Sequence, residues 1–130
     1  GEVREDPVDA AVARTSERLA ALRSDASYHA VLRSLTEQAL AQLAASESGH
    51  DPQLQADPRD KALLQKILTE LQLNVPVSYE LNNWGGLIAT SRDGRVVVIN
   101  TLEARLEQAT AYLRPHLASY FETETMPVVE

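Results

Sequence analysis

The sequence has no cysteine and few aromatic residues. Its 130 residues include one tryptophan, one phenylalanine and four tyrosines, so aromatic side chains make up 5% of the chain. Without cysteine there is no disulfide, thiolate metal ligand or cysteine nucleophile. With so few aromatic residues, we predict a core of Leu, Val and Ala that lacks the aromatic lining of many ligand pockets.

Positive charge and long apolar runs are also scarce. Twelve Lys and Arg residues stand against nineteen Asp and Glu residues, which gives a net charge of −7. An acidic chain repels the phosphate backbone, so nucleic acid is not an expected partner. No apolar run approaches the roughly 20 residues of a membrane-spanning helix, so direct membrane insertion is not expected. The length suits one compact domain with its own core.

Three helices are predicted in the first half of the chain. Residues 6–9, Asp-Pro-Val-Asp, are typical of a capped helix start. A second helix is predicted from Tyr28 to near Ser46, and a third follows the Asp-Pro-Arg-Asp segment at residues 57–60. The apolar residues of the first helix recur every three or four positions, as in a heptad stripe. This stripe comprises Val8, Val12, Leu19 and Leu22, with Thr15 as a polar interruption.

Short strands are predicted between and after these helices. Residues 53–56 alternate apolar and polar side chains, and residues 75–81 do so with Pro76 near their start, which indicates an edge strand. Two further apolar runs, at residues 87–91 and 95–100, are separated by a turn sequence. We therefore expect a small sheet of about four strands.

The turn sequence at residues 93–94 is Asp-Gly, the strongest short-range signal for a hairpin with a type I′ turn. Centring the turn there pairs Ile88 with Ile99 and Ala89 with Val98. Apolar pairs then lie on both faces of the hairpin, so helices are expected to cover both faces of the sheet.

The last helix is predicted to begin at residues 100–103, Asn-Thr-Leu-Glu. Asn100 would cap it and Glu103 would reach back to the cap residue, as in a capping box. Pro115 predicts a kink or a restart, and residues 123–130 are expected to form a frayed acidic tail. The apolar stripe of this helix comprises Leu102, Leu106, Ala109, Leu113, Leu117 and Tyr120. The predicted fold is α+β, an α/β two-layer arrangement in which a small sheet packs against helices.

No catalytic residue, metal ligand or cofactor site is predicted. The histidines His29, His50 and His116 are scattered without metal-binding spacing, and no serine lies in a nucleophile elbow. For the acidic residues at predicted helix starts, capping is favoured over general acid-base work. These residues are Asp6, Asp9, Asp57, Asp60 and Glu103.

A few residues allow a functional and a structural interpretation. Gly85 and Gly86 resemble a phosphate loop, but they precede a strand, so a bulge or a tight lead into the hairpin is favoured. Trp84 is favoured as a core residue over an exposed recognition residue. Arg105 could clamp a substrate carboxylate, but pairing with a neighbouring surface acid is favoured.

The stripe of the first helix also allows two interpretations. It is compatible with packing on the chain's own core and with a seam for a partner helix. We hypothesise a partner-helix surface built from this stripe and from the end of the last helix. The residues of that surface are Val8, Val12, Leu19, Leu22, Leu113, Leu117 and Tyr120.

Residues 85–107 carry a family resemblance. A Gly-Gly pair, an apolar strand, an Asp-Gly turn, a second strand and the run Asn-Thr-Leu-Glu-Ala-Arg-Leu-Glu follow one another in order. This succession resembles the C-terminal domain of the E subunit of the V-type and A-type rotary ATPases, and the likeness extends over residues 26–122. The motif residues are Gly85, Gly86, Asp93, Gly94, Asn100, Thr101, Glu103 and Arg105.

The resemblance implies a stator component of a proton- or sodium-transporting ATPase or ATP synthase, without an active site of its own. In that family a long N-terminal helix pairs with the G (or H) subunit of the stalk, and the head holds the catalytic A/B hexamer, chiefly a B subunit, against rotor torque. The implied location is cytoplasmic and peripheral to the membrane. No cofactor is implied.

The resemblance also implies a division of the chain. Residues 1–25 would be the end of the stalk or a linker to it, residues 26–122 the head, and residues 123–130 a tail, so the chain is expected to be the C-terminal part of a longer protein. Two alternatives stay open: a stator-like regulator of a flagellar or type III secretion ATPase, and a small ligand-binding or hydrolytic α/β domain.

Overall fold

A computed structural model of the chain describes residues 6–46 and 50–125, with side chains through residue 116. Within these residues, four α-helices and a four-stranded mixed sheet form the α+β fold that the sequence predicts. In chain order the elements are α1 (Pro7–Ala20), α2 (Tyr28–Ala44), β1 (Gln53–Ala56), α3 (Lys61–Glu70), β2 (Val77–Ser78), β3 (Gly86–Thr90), β4 (Val97–Thr101) and α4 (Leu102–Thr125). Two 3₁₀ turns, Leu22–Ser24 and Pro58–Asp60, precede α2 and α3.

The first helix starts as predicted. The Asp6 side chain accepts a hydrogen bond from the backbone N–H of Val8 at 2.8 Å, and Pro7 occupies the first helical position.

Strand β2 is shorter than the predicted segment 75–81. Only Val77 and Ser78, the two residues of β2, pair in register with β1. Pro76 has no N–H to donate, but its carbonyl oxygen accepts a hydrogen bond from the N–H of Leu54.

The strands lie in the order β2-β1-β3-β4, with β1 and β2 parallel and the other pairs antiparallel. The hairpin register is the predicted one, with Ile88 opposite Ile99. The predicted type I′ turn is wrong, because Gly94 has a φ of 75° while Asp93 does not adopt a positive φ. Instead, the Asp93 carboxylate accepts hydrogen bonds from the Ser91 hydroxyl at 2.7 Å and from the Arg95 N–H at 3.0 Å.

Helices α2 and α3 both pack on one face of the sheet. Leu32 of α2, Ile67 of α3 and Leu87 of β3 belong to a single buried cluster, each with no exposed surface. On the opposite face Val97 and Ile99 are each 53% exposed. The expectation that helices cover both faces is therefore wrong for the described part of the chain.

The start of α4 differs from the predicted capping box. Strand β4 continues through Thr101, and it is the Thr101 hydroxyl that accepts from the N–H of Ala104 at 3.2 Å. Asn100 lies in the strand, where its amide donates to a backbone carbonyl of α2 at 2.8 Å. Glu103 does not reach back to Asn100 but accepts from the N–H of Trp84 at 3.0 Å. The prediction that Asn100 caps α4 is therefore wrong, because β4 extends one residue further than expected.

The end of α4 also differs from the prediction. Pro115 lies inside one continuous helix, so the helix does not restart there. Residues 123–125 belong to that helix and not to a tail, while residues 126–130 lie outside the described part of the chain.

Candidate partner-binding surface

Helices α1 and α4 pack against each other in antiparallel orientation. Near the start of α1, Arg114 of α4 forms ion pairs with Asp9 at 2.8 Å and Asp6 at 3.4 Å. At the other end of α1, Leu19 packs against the core to which Leu102, the first residue of α4, also belongs. The two helices therefore meet the buried core at one end and run away from it side by side.

An open groove of about 420 Å³ runs along this helical pair. Its floor is apolar, and two acidic residues and one arginine line it as well. The lining residues are Val12, Glu103, Leu106, Glu107, Thr110, Ala111 and Arg114. An apolar groove between two helices has the shape and chemistry that an additional amphipathic helix would fill.

The structure separates the residues of the hypothesised partner-helix surface. Val8 is 8% exposed, and Val12 is half-buried and lines the groove. Leu19 and Leu22 pack against the chain's own core. Leu113 is 45% exposed. The side chains of Leu117 and Tyr120 lie outside the described residues.

A cluster of buried charges holds the chain in place just after α1. The Arg23 guanidinium, just after α1, donates to the Asp60 carboxylate at 2.8 and 3.3 Å and to the backbone carbonyl of Asn83 at 3.0 Å. Asp60 is 1% exposed. The sequence suggests that the Asp60 side chain caps α3. In the structure it does not, because it is directed to Arg23 instead.

Tyr28 continues this cluster into the sheet. Its hydroxyl donates to the Asp60 carboxylate at 2.8 Å and accepts from the N–H of Gly86 at 3.1 Å. Burial, together with the hydrogen bond to the Asp60 carboxylate, raises the pKa of Tyr28 above its usual range. The hydroxyl therefore stays protonated and serves as a fixed link between α3 and β3.

Asp57 is held from several directions. Its carboxylate accepts from the Arg59 side chain at 3.0 and 2.8 Å, from the Arg59 N–H at 2.9 Å and from the Asn83 N–H at 3.1 Å. Arg23 lies 3.6 Å away. The hydrogen bond from the Arg59 side chain, followed by the two backbone bonds and the charge of Arg23, holds the pKa of Asp57 well below its usual range.

We expect Asp57 to make the fold sensitive to acid. Because its pKa is lower in the folded than in the unfolded chain, its contribution is fully present above the unfolded pKa of about 3.9 and is lost progressively as the pH falls from that value toward the lower folded pKa. Asp57→Asn should therefore be less stable than wild type at pH 7, and the difference should shrink below about pH 4. Urea unfolding at several pH values measures this.

Asp51→Asn is the matched control, since the side chain of Asp51 is 73% exposed. Its stability curve should run parallel to that of wild type. A constant difference between wild type and Asp57→Asn from pH 7 to pH 3 would contradict the assignment.

The structure also shows what surrounds Gly85, Trp84 and Arg105, the residues for which the sequence allowed a functional and a structural interpretation. A Cβ on Gly85 would lie 2.6 Å from the Tyr28 hydroxyl, so the Gly-Gly pair is a tight lead into the hairpin, as predicted. Trp84 is half-buried and packs against the core, in agreement with the favoured interpretation of it as a core residue. Among the residues that the structure describes, Arg105 pairs with no acid: it donates to Gln38 at 3.2 Å and to Asn100 at 3.4 Å, so that expectation is wrong there.

The cluster around Arg23 was not predicted from the sequence. Arg23 and Asp60 are 37 residues apart, and Arg23 and Asn83 are 60 apart, so no local spacing connects them. No local signal marked Asp60, because the segment at residues 6–9 carries two acids in the same positions.

Metal-binding and membrane-spanning features are absent from residues 6–46 and 50–125. No group of three or more His, Asp or Glu residues there could hold a metal ion. Nor does any helix in this part of the chain combine the length and apolar character needed to cross a bilayer.

The architecture is thus an α+β fold with an antiparallel pair of helices, and related sequences place it in a family. The family model of the ATP synthase (E/31 kDa) subunit matches residues 2–120. The chain belongs to this family.

Three curated relatives agree with this membership. The second E subunit of the A-type ATP synthase of Methanospirillum hungatei is 34% identical over 106 residues, which cover 82% of this chain and 52% of that protein. The A-type ATP synthase E subunit of Thermococcus kodakarensis is 32% identical, covering 90% and 60%, and that of Thermococcus gammatolerans is 31% identical, covering 89% and 58%. The chain spans between about half and three-fifths of the length of these relatives.

Proposed function

We propose that the chain is the head of a peripheral-stalk protein, a stator that has no active site of its own. The observation that carries this proposal is the open apolar groove along α1 and α4, because a head that must be tied to a stalk needs a surface for another helix. Family membership supports this reading over a secretion-ATPase regulator or a small hydrolase.

The groove is proposed to receive a helix of the G (or H) subunit of the stalk. Beyond Arg114, which lies level with the start of α1, α4 continues for eleven residues, or about 16 Å. Leu113, which precedes Arg114 and lies beside the groove residue Thr110, is 45% exposed. A partner helix with apolar residues every three or four positions would cover the groove and Leu113 together.

The head itself is proposed to hold the catalytic A/B hexamer, chiefly a B subunit, on the cytoplasmic side and without entering the membrane. The buried carboxylates support a mechanical over a catalytic role. Asp57 and Asp60 are both bound to arginines, so they hold elements together and are not free to act as general bases.

Two alanines of α4 provide a matched test of the groove. Both are exposed, but Ala111 lines the groove and Ala109 does not. Ala111→Lys should weaken binding to the G (or H) subunit at least about tenfold, because the lysine occupies the path of the partner helix, whereas Ala109→Lys should stay within about twofold of wild type. Isothermal titration of the purified chains measures both affinities.

A parallel pull-down tests the head with the A/B hexamer. Wild-type chain with a native circular-dichroism spectrum that binds neither partner at micromolar concentration would overturn the stator proposal. Equal losses for Ala111→Lys and Ala109→Lys would leave the stator role intact but refute the groove as its binding surface.

A further inference from the structure

Two glutamates line the groove at its core end, which is the end nearest the buried core. Glu103 and Glu107 lie one turn apart on the same face of α4. Acids at this spacing repel each other and weaken a helix slightly unless a positive charge lies beside them. Within residues 6–46 and 50–116, no Lys, Arg or His forms an ion pair with either glutamate.

The arginine of the groove is treated differently. Arg114, at the far end, forms ion pairs with Asp9 at 2.8 Å and with Asp6 at 3.4 Å. The chain thus neutralises the positive charge in the groove with its own acids but leaves the two glutamates without a cation. The lining of the groove therefore carries an uncompensated negative charge at its core end.

The carboxylate of Glu103 is held at the groove. Its Oε2 accepts a hydrogen bond from the backbone N–H of Trp84 at 3.0 Å, so the side chain is fixed in place. Its Oε1 is buried and accepts from no donor among the described residues. A buried carboxylate oxygen without a donor is costly, so a positive charge brought against the groove is favourable here. Glu107 is exposed, and it can contact such a charge directly.

We infer that the helix that fills the groove carries a lysine or an arginine opposite Glu107 and apolar residues beyond it. This inference rests on the proposed function, because it gives the chemistry by which the groove recognises the helix of the G (or H) subunit. Leu106 and Ala111 continue the same face of α4 away from the core, where apolar side chains of the partner fit. A cation near both carboxylates relieves their repulsion, and the attraction strengthens as the helix excludes water from the groove. A helix with an acid at that position is rejected, so the two glutamates also select the partner and its register.

Charge reversal at Glu107 tests the inference, with Glu17 as the matched control. Both are exposed glutamates of the helical pair, but Glu17 does not line the groove. Isothermal titration of the 130-residue chain with the purified G (or H) subunit measures the affinities. Glu107→Lys should bind at least about tenfold more weakly than wild type, because two like charges then meet in the covered groove, whereas Glu17→Lys should stay within about twofold. Native circular dichroism of both variants shows that the fold is intact.

Salt dependence separates attraction between charges from a steric effect. Between about 0.1 M and about 1 M salt the screening length falls from about 10 Å to about 3 Å, so the wild-type affinity should fall about fivefold. Glu107→Gln should bind about three- to fivefold more weakly at 0.1 M salt and lose most of this salt dependence, while Glu17→Gln should follow wild type. Equal behaviour of Glu107→Gln and Glu17→Gln, with wild type still binding, would overturn this inference and leave the stator proposal standing. If wild type itself does not bind, both are overturned.

Discussion

Replacing Asp60 with alanine is expected to lower the free energy of unfolding by about 3 kcal/mol, because the largely buried Arg23 charge loses its nearest carboxylate and keeps only that of Asp57 at 3.6 Å. Arg23 would lose both of its bonds to the carboxylate, and Tyr28 would lose the acceptor of its hydroxyl. The side chain of Arg23 is only 15% exposed, so water cannot replace the lost carboxylate without opening the structure.

Asp9→Ala is the matched control. Asp9 is also bound to an arginine at 2.8 Å, but its side chain is 58% exposed, so the loss should be several times smaller. Urea unfolding of both variants measures the difference. Similar losses for the two variants would mean that burial does not govern the strength of the Asp60 pair.

A double-mutant cycle shows whether the loss comes from the pair. Arg23→Met removes the charge and keeps much of the side-chain volume. If the unpaired arginine causes the loss, Asp60→Ala should cost clearly less in the Arg23→Met background than in wild type. Equal costs in both backgrounds would place the effect in the Tyr28 hydrogen bond instead.

The location of this ion pair gives it a further significance. Arg23 follows α1 directly, and the groups that it binds lie at the start of α3 and in the turn before β3. The pair thus ties the end of α1 to two separate elements. For a protein proposed to resist torque, such a fixed junction would prevent the helices from swinging relative to the head.

Local patterns predicted the elements whose causes are local. The Asp6 cap of α1 depends on neighbouring residues alone. The register of the hairpin was predicted by centring its turn on residues 93–94, although the type of turn was not predicted correctly. The turn was missed because the Asp93 side chain bonds with Ser91 and Arg95, so the loop closes without a positive φ at Asp93.

Features that depend on tertiary contacts were not predictable in this way. Apolar residues on both faces of the hairpin suggested two covering layers, but the exposure of Ile99 shows that one face is open. Likewise, heptad spacing cannot tell whether a stripe faces its own core or another chain. In the structure the stripe is divided, since Val12 lines the open groove and Leu19 packs inside.

Gly86→Ala is expected to cost about 2 to 5 kcal/mol, for two reasons that add. Gly86 has a φ of 87°, which strains any residue with a Cβ, and its new Cβ would lie 2.8 Å from the Cα of Thr101 and closer still to the Asn100 carbonyl oxygen. Those atoms belong to the neighbouring strand, so relief requires separating β3 from β4.

Gly94→Ala isolates the first of these reasons. Gly94 has a similar φ of 75°, but nothing lies within 4 Å of its added Cβ, so the expected cost is about 1 kcal/mol from backbone strain alone. Thermal and urea unfolding of the two variants measure the difference, which is the cost of the steric overlap. If both glycines tolerate alanine equally, β3 and β4 are not packed as closely at Gly86 as this structure has them.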